Sequence, residues 1–265
     1  MAATNDNWSA GDAYESYMGR WSRRLARTFI GWLDAPPQAD WLEVGCGTGA
    51  LTAAICESAE PASIAACDPS ASFVTHARNT LRDARVSFLV SGVDALPGSP
   101  GSFDCVASGL VLNFFADPAR ALGLMQERLR RHGTIAAYVW DYGEGVEFLR
   151  CFWDEAIALD SAAADLDEDR RFPLCKPDRL RSLFIDAGLR DVTVEGLEIP
   201  THFQDFQDFW APFLRGTGPA PAYASALSPA RRDQLRDRLS SCVKVEVDGG
   251  IRFSARAWAV RGSSE

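Results

Sequence analysis

Short apolar runs and helical patterns alternate along the first half of the chain. Apolar runs at residues 40–45, 62–67, 86–90, 103–108 and 134–140 predict five strands. Runs that are apolar at nearly every position are typical of strands buried on both faces. Strands that alternate with helices indicate parallel β-α-β units. The pattern therefore predicts an α/β fold with a mostly parallel sheet.

Helical spacing and glycine stops mark the segments between and after these strands. Leu122, Met125 and Leu129 repeat at helical spacing, and Gly133 is predicted to end that helix in a left-handed conformation. Pro177 predicts the first turn of another helix, which Gly188 is predicted to end. Alternating residues at 192–199 and 251–260 predict two further strands at one edge of the sheet.

Two longer stretches interrupt the predicted sheet. Residues 144–172 predict a helix followed by an acidic, solvated loop. Residues 203–239 predict two helices joined by the Gly- and Pro-rich segment 216–221. Both are predicted to be helical cap insertions over a pocket, within a single domain spanning residues 1–265.

Composition and charge exclude several classes of protein. The net charge is −9, with 27 basic and 36 acidic residues and only scattered basic pairs, which argues against a nucleic-acid partner. Seven cysteines without a Cys-x-x-Cys motif predict reduced thiols and no metal site. Without an apolar leader or spanning segment, we expect a soluble cytoplasmic monomer or homodimer with no membrane partner.

The most informative stretch is the glycine-rich turn at residues 42–51. A strand followed by alternating glycines and a helix is typical of a nucleotide-binding turn. Gly45, Gly47 and Ala50 also satisfy the dinucleotide pattern, so a nicotinamide-dependent oxidoreductase stays an alternative. Glu43 separates the two interpretations, because a carboxylate repels a pyrophosphate but suits a ligand with an ammonium and a sulfonium.

This turn resembles the first motif of class I S-adenosylmethionine-dependent methyltransferases, and three further segments match that family in order. The resemblance implies a cofactor-binding turn formed by Glu43, Gly45, Cys46, Gly47 and Gly49. Asp68 and Pro69 end the second strand, where the resemblance implies a ligand of the ribose hydroxyls. The resemblance implies adenine contacts at Val93, Asp94 and Ala95, and a further cofactor contact at Ser108 and Gly109.

The N-terminal segment around residues 14–21 resembles a flap found in small-molecule members of that family. The resemblance implies a helical flap over residues 1–34, in which Tyr17 and Arg20 close over the methionine moiety. An ordinary surface helix is the alternative. Two positions depart from the family pattern: Gly98 stands where many relatives have an aromatic residue, and Asn113 stands where some have a catalytic histidine.

The acceptor is expected beyond the carboxyl ends of the strands, where ligands bind in such sheets. The candidate substrate-binding residues are Asn113, Phe114, Trp140, Tyr142, Trp210 and Phe213. Asp141 and His202 are the candidate proton acceptors, needed only where the acceptor must lose a proton early. Helix packing is the alternative for Trp210 and Phe213, and a helix-start position is the alternative for His202.

The resemblance implies a Rossmann-like sheet of seven strands, mostly parallel, with the last strand antiparallel and helices on both faces. It implies methyl transfer from S-adenosyl-L-methionine to O, N or C of a small metabolite by in-line displacement. The alternatives are the nicotinamide-dependent oxidoreductase, a non-catalytic cofactor-binding module and a methyltransferase that acts on a macromolecule.

Overall fold

The fold is described from a computed structural model that covers residues 15–215 and 218–265. The N-terminal part of the predicted flap, including Tyr14, lies outside the described residues. So do Gly216 and Thr217 in the predicted connection between the cap helices.

Seven strands form one sheet in the order β3-β2-β1-β4-β5-β7-β6. Their bounds are β1 Asp40–Val44, β2 Ser63–Asp68, β3 Val86–Val90, β4 Phe103–Gly109, β5 Leu129–Trp140, β6 Arg190–Phe203 and β7 Ile251–Ser263. The pairs among β1 to β5 are parallel, whereas β7 pairs with β5 in the antiparallel direction. This arrangement confirms the predicted fold class and all seven predicted strands.

Ten α-helices lie in the described part of the chain. Their bounds are α1 Arg20–Leu33, α2 Ala50–Ser58, α3 Ala71–Thr80, α4 Pro118–Gln126, α5 Glu147–Leu159, α6 Glu168–Arg171, α7 Pro177–Asp186, α8 Phe206–Trp210, α9 Pro219–Ala226 and α10 Pro229–Cys242. Helix α7 begins at Pro177 and is followed by Gly188 with a φ of 79°, as predicted.

The boundary between α4 and β5 differs from the prediction. Helix α4 ends at Gln126, and Leu129 opens β5, so the helical spacing of Leu129 is incidental. The left-handed residue is His132, with a φ of 61°, and not Gly133. Gly133 lies inside β5, where an added Cβ would stand 3.0 Å from the Asp104 carbonyl oxygen of β4. The glycine therefore permits close approach of two strands and does not end a helix.

The predicted acidic loop after α5 is largely ordered as short helices. A 3₁₀ turn covers Ser161–Asp165, and Asp167 caps α6 by accepting a hydrogen bond from the Asp169 amide. Asp167 and Glu168 are buried, so the prediction of a solvated loop is wrong for these two residues. Their burial follows from partners elsewhere in the sequence, since Asp167 accepts a hydrogen bond from Arg150 of α5.

The second insertion contains three helices instead of the predicted two. Each has its own start signal: Asp205 caps α8, Pro219 lies in the first turn of α9, and Ser228 followed by Pro229 begins α10. A 3₁₀ turn at Ala211–Leu214 continues directly from α8.

The chain divides into two compact units. Unit 1 comprises residues 15–20, Asp141–Pro173 and Glu198–Arg256, and it contains both predicted insertions. Its core is built from the aromatic residues Phe148, Phe152, Trp153, Phe209 and Phe213. Unit 2 comprises Trp21–Trp140, Leu174–Leu197 and Ala257–Glu265, and its core includes Phe29, Trp41 and Tyr138.

Across the helices that the structure describes, none is both long enough and apolar enough to cross a membrane.

Candidate functional site

The glycine-rich turn of unit 2 depends on backbone conformations that favour glycine. Gly45, Gly47 and Gly49 have φ values of 80°, 51° and 91°, between the end of β1 and the start of α2. A Cβ at Gly45 would also lie 2.6 Å from a methyl carbon of Val111. The main chain of the turn therefore packs directly against the Val111 side chain in the segment after β4.

Asp68 holds this turn from the end of β2. Its carboxylate accepts hydrogen bonds from the amides of Gly47, at 3.0 Å, and Ser70, at 2.8 Å. The Gly45 amide also donates to the carbonyl oxygen of Cys67, at 2.8 Å. A carboxylate accepts about four hydrogen bonds, so Asp68 retains acceptor capacity for two hydroxyl donors. This capacity fits the vicinal ribose hydroxyls of an adenosyl cofactor.

Glu43 is a second buried acid beside the turn. Its side chain is 1% exposed and accepts a hydrogen bond of 2.6 Å from the Thr52 hydroxyl of α2. Burial raises the pKa of Glu43 to about 7; the Thr52 bond lowers this pKa and the charge of Asp68 raises it. A cationic ligand would offset the cost of ionising this carboxyl, whereas a phosphate would increase it.

Replacing Glu43 with glutamine is expected to remove a pH-dependent loss of stability. The pKa of Glu43 is about 7 in the folded chain, against about 4.3 in an unfolded one. The folded state therefore holds the proton more tightly, and this stabilisation is complete below pH 4 and lost as the pH rises through 7. In urea unfolding, the wild type should lose about 3 kcal/mol more than Glu43→Gln between pH 4 and pH 8.

The matched control is Glu60→Gln, at an exposed position. This variant should lose the same free energy of unfolding as the wild type between pH 4 and pH 8. Parallel profiles for the wild type and Glu43→Gln would show that Glu43 has a similar pKa in the folded and unfolded states.

The predicted adenine segment forms a 3₁₀ turn at Val93–Ala95. The side chain of Asp94 is 69% exposed and pairs with Arg120 of α4 at 2.5 Å. The departure at Gly98 has a local reason: its φ is 79°, and an added Cβ would lie 2.6 Å from the Phe103 ring. The adenine contacts of Val93, Asp94 and Ala95 stay predictions.

The end of β4 is hydrogen-bonded to the glycine-rich turn. The buried Ser108 hydroxyl donates a hydrogen bond of 2.9 Å to the carbonyl oxygen of Val44. An added Cβ at Gly109 would lie 2.6 Å from the Tyr138 hydroxyl of β5. Cys46 is buried within the turn, and burial raises the pKa of its thiol well above the ordinary range. The structure thus brings the turn, Asp68 and Ser108 together within unit 2, and Pro69 follows Asp68 directly.

The acceptor candidates of unit 2 follow β4 and β5. Asn113 and Phe114 lie in a 3₁₀ turn, and Phe114 is exposed. The buried amide nitrogen of Asn113 has no hydrogen-bond partner among the described residues. Trp140 is buried at the end of β5. Their contact with an acceptor stays a prediction.

The two candidate proton acceptors lie in unit 1. Asp141 accepts hydrogen bonds from the Arg256 guanidinium, at 2.6 and 2.8 Å, and from the Glu144 amide at 3.3 Å. His202 lies on β6, not at a helix start, and its Nε2 would stand 2.6 Å from a Cβ added at Gly250. Both carboxylate oxygens of Asp141 therefore already have donors within unit 1.

The remaining candidates of unit 1 are packed together. The Arg20 guanidinium donates to both carboxylate oxygens of Asp208, at 2.8 and 3.0 Å, and lies over the Phe203 ring. Phe213 makes an edge contact with the Tyr17 ring at 5.6 Å, and Trp210 is buried beside Phe213.

If Trp210 and Phe213 serve helix packing and not substrate binding, contacts of this kind are expected. Tyr142 packs against the ring of Phe172 at 5.7 Å. The roles of Tyr17, Arg20 and Tyr142 toward a ligand stay predictions.

Sequence reasoning did not identify the partners that orient these groups. Thr52, Asp208 and Arg256 each bond a predicted site residue. Thr52 lies nine residues after its partner Glu43, whereas Asp208 and Arg256 lie 188 and 115 residues from their partners Arg20 and Asp141. Glu168 is a buried acid in the run predicted to be solvated. In residues 15–215 and 218–265, no three His, Cys, Asp or Glu side chains are grouped to hold a metal ion.

Comparison with known proteins agrees with the geometry of unit 2. Residues 42–137 match the family model described as "Methyltransferase domain". The malonyl-[acyl-carrier protein] O-methyltransferase of Acetivibrio thermocellus is 24% identical over 162 residues, which are 60% of this chain and 54% of the relative. The matches span 28% to 54% of the length of four curated relatives.

Two solved structures share the fold at low sequence identity. YcgJ from Bacillus subtilis is 14% identical with a TM-score of 0.55, over 91% of this chain and 98% of YcgJ. Phosphoethanolamine N-methyltransferase 2 from Haemonchus contortus, in complex with S-adenosyl-L-methionine, is 16% identical with a TM-score of 0.57. That match covers 99% of this chain and 58% of the other.

Proposed function

We propose that this chain, which belongs to the class I S-adenosylmethionine-dependent methyltransferases, transfers a methyl group to an O, N or C atom of a small metabolite. The observation that carries the proposal is the pair of buried acids beside the glycine-rich turn, Glu43 and Asp68. Two carboxyl groups favour a cationic ligand with hydroxyl groups and oppose a dianionic pyrophosphate. The same pair disfavours the nicotinamide-dependent alternative.

S-adenosyl-L-methionine supplies, when bound, a methyl group already activated on a sulfonium. In the proposal, Asp68 accepts the ribose hydroxyls while Glu43 provides negative charge near the methionine end. The glycine-rich turn allows the main chain to approach the ligand closely. Rate acceleration by the chain then rests mainly on holding donor and acceptor in line and excluding water, and no triad is needed.

A small-molecule acceptor is supported by the charge of the chain. With nine more acidic than basic residues, it offers no electrostatic attraction for a nucleic acid. Two curated relatives are named as O-methyltransferases of malonyl-[acyl-carrier protein], so carboxylates belong in any acceptor screen. A carrier-bound acyl chain is an acceptor that the screen distinguishes from a free metabolite.

Calorimetric titration and a turnover screen test the proposal. S-adenosylhomocysteine should bind with micromolar affinity, while NAD and NADP should give no comparable heat. Release of S-adenosylhomocysteine is then measured with phenols, amines, quinones, free carboxylates and a malonyl carrier-protein conjugate. Tight dinucleotide binding would overturn the cofactor assignment, and binding without turnover on any acceptor would favour a non-catalytic module.

A further inference from the structure

Two thiols on neighbouring helices of unit 1 lie in direct contact. The sulfur atoms of Cys151, on α5, and Cys242, the last residue of α10, are 2.7 Å apart. A disulfide holds its two sulfur atoms about 2.05 Å apart, so these two need to approach by roughly 0.7 Å to be joined. Both residues carry free thiols in the structure. The two side chains are therefore almost in position for a covalent bond.

The packing of α5 against α10 keeps the two thiols together. An ion pair of 2.7 Å joins Arg238 to Glu155, one helical turn from each cysteine. Further along, the Arg231 guanidinium donates a hydrogen bond of 3.2 Å to the carbonyl oxygen of Leu159. Residue numbers rise along α5 as they fall along α10, so the helices run antiparallel, and the contacting residues recur at helical spacing. The sulfur contact therefore belongs to an interface that is held at several points.

The ends of the helices that carry the two thiols are anchored in the core of unit 1. On α10, Leu239 is fully buried, and Val243, which follows Cys242, is buried too. The Val243 amide also donates a hydrogen bond of 3.1 Å to the Leu239 carbonyl oxygen. On α5, Cys151 is followed by the fully buried Phe152. Because a packed core resists displacement, the two sulfur atoms stay close while unit 1 is folded.

The pair is accessible to small reagents in solution. Cys242 is exposed and Cys151 is half-buried, whereas four of the other five cysteines are buried and Cys56 is half-buried. In the part of the chain that the structure describes, no group of three or more His, Cys, Asp or Glu side chains could hold a metal ion. Thiol oxidation is therefore the chemistry that fits this pair.

We propose that Cys151 and Cys242 are a redox-sensitive modification site, at which an oxidant joins α5 to α10 through a reversible disulfide. This inference goes beyond the proposed function and does not depend on it. A reducing thiol can attack the bond again, because the Cys242 sulfur lies at an exposed position. The bond joins positions 91 residues apart, since Cys151 lies in the first predicted insertion and Cys242 just after the second.

With oxidised glutathione as the oxidant, two exchange steps form the bond. The more exposed Cys242 thiol loses its proton to solvent, and its thiolate attacks one glutathione sulfur and releases the first glutathione thiolate. The Cys151 thiolate then attacks the Cys242 sulfur of the mixed disulfide and releases the second glutathione thiolate. Each released thiolate takes up a proton, so one glutathione disulfide is reduced to two thiols while one protein disulfide forms.

The surroundings of the pair determine how the reaction depends on pH. Burial raises the pKa of both thiols, and the charges of Glu155 and Asp154 on α5 raise both further. On α10, Arg238 lowers the pKa of Cys242 and so acts against this effect. Only the thiolate attacks a disulfide, so the reaction should be faster at pH 9 than at pH 7 by more than about tenfold.

Intact-mass analysis and peptide mapping after treatment with oxidised glutathione test the pair at these two pH values. The wild type should lose two hydrogens, and mapping should place a disulfide between Cys151 and Cys242 with no glutathione on either residue. Its Tm should rise by several degrees, because the bond closes a long loop in the unfolded chain. Dithiothreitol should restore the mass and the Tm of the untreated chain.

Serine variants separate the roles of the two thiols. Cys151→Ser should retain a glutathione adduct on Cys242, because no second thiol displaces it. Cys242→Ser should react more slowly than Cys151→Ser, because its remaining thiol of the pair is less exposed. The matched control Cys56→Ser removes a half-buried thiol of unit 2 and should form the disulfide as the wild type does. A stable adduct on Cys242 of the wild type, a disulfide mapped to other cysteines, or no reaction at pH 9 overturns the inference.

Discussion

Replacing Gly45 with alanine is expected to destabilise the chain by about 3 kcal/mol, from left-handed strain of about 1–2 kcal/mol and overpacking of about 1–3 kcal/mol. The strain arises because the φ of Gly45 is 80°. The overpacking arises because the new methyl group would meet the Val111 side chain at 2.6 Å. Urea unfolding followed by circular dichroism measures the loss.

Gly31 provides the matched control for this substitution. It lies in α1 of unit 2, and an added Cβ there has no neighbour within 4 Å. Gly31→Ala should therefore stabilise the chain by roughly 0.5–1 kcal/mol, as in other exposed helices. Combining Gly45→Ala with Val111→Ala separates clash from strain, because only the clash depends on both residues. If Gly45→Ala unfolds at the same urea concentration as the wild type, the turn does not require this conformation.

Most of the sheet could be predicted because its strands are marked by local patterns. Residues 86–90 form a strand with the bounds that the apolar run predicts. Strand β1 ends one residue before its predicted run, β2 is shifted by one residue, and the other strands extend the predicted runs. The exception at Leu129 arises because helical spacing cannot distinguish the end of a helix from the start of a buried strand. Gly133 was misassigned because glycine serves both left-handed turns and close strand approach.

The cofactor side of the candidate site was more accessible to sequence reasoning than the packing of unit 1. Gly45 and Asp68 belong to motifs that follow strands directly, so strand order alone places them at one edge of the sheet. Glu168 belongs to no motif, and its acidic neighbours favoured a solvated loop. Its burial depends on Trp153, whose position on α5 becomes relevant only when the two helices pack. Partners that are distant in sequence leave no local pattern.

Asp68→Ala is expected to weaken S-adenosylhomocysteine binding by 2–3 kcal/mol, which is roughly 30- to 150-fold. The variant would leave two ribose hydroxyls in a buried site without acceptors. Isothermal titration calorimetry measures the loss, and circular dichroism confirms that the variant is folded. Asp68→Asn keeps one carbonyl oxygen and should lose less affinity than the alanine variant.

An analogue of S-adenosylhomocysteine without the 2′ and 3′ hydroxyls separates the two possible roles of Asp68. Asp68 also accepts hydrogen bonds from the Gly47 and Ser70 amides, so its loss could weaken binding through the turn alone. If the carboxylate binds the ribose, the wild type should prefer the natural ligand strongly and Asp68→Ala should bind both ligands about equally. If Asp68 only supports the turn, the substitution should weaken both ligands by the same factor, and the preference of the wild type should persist in the variant.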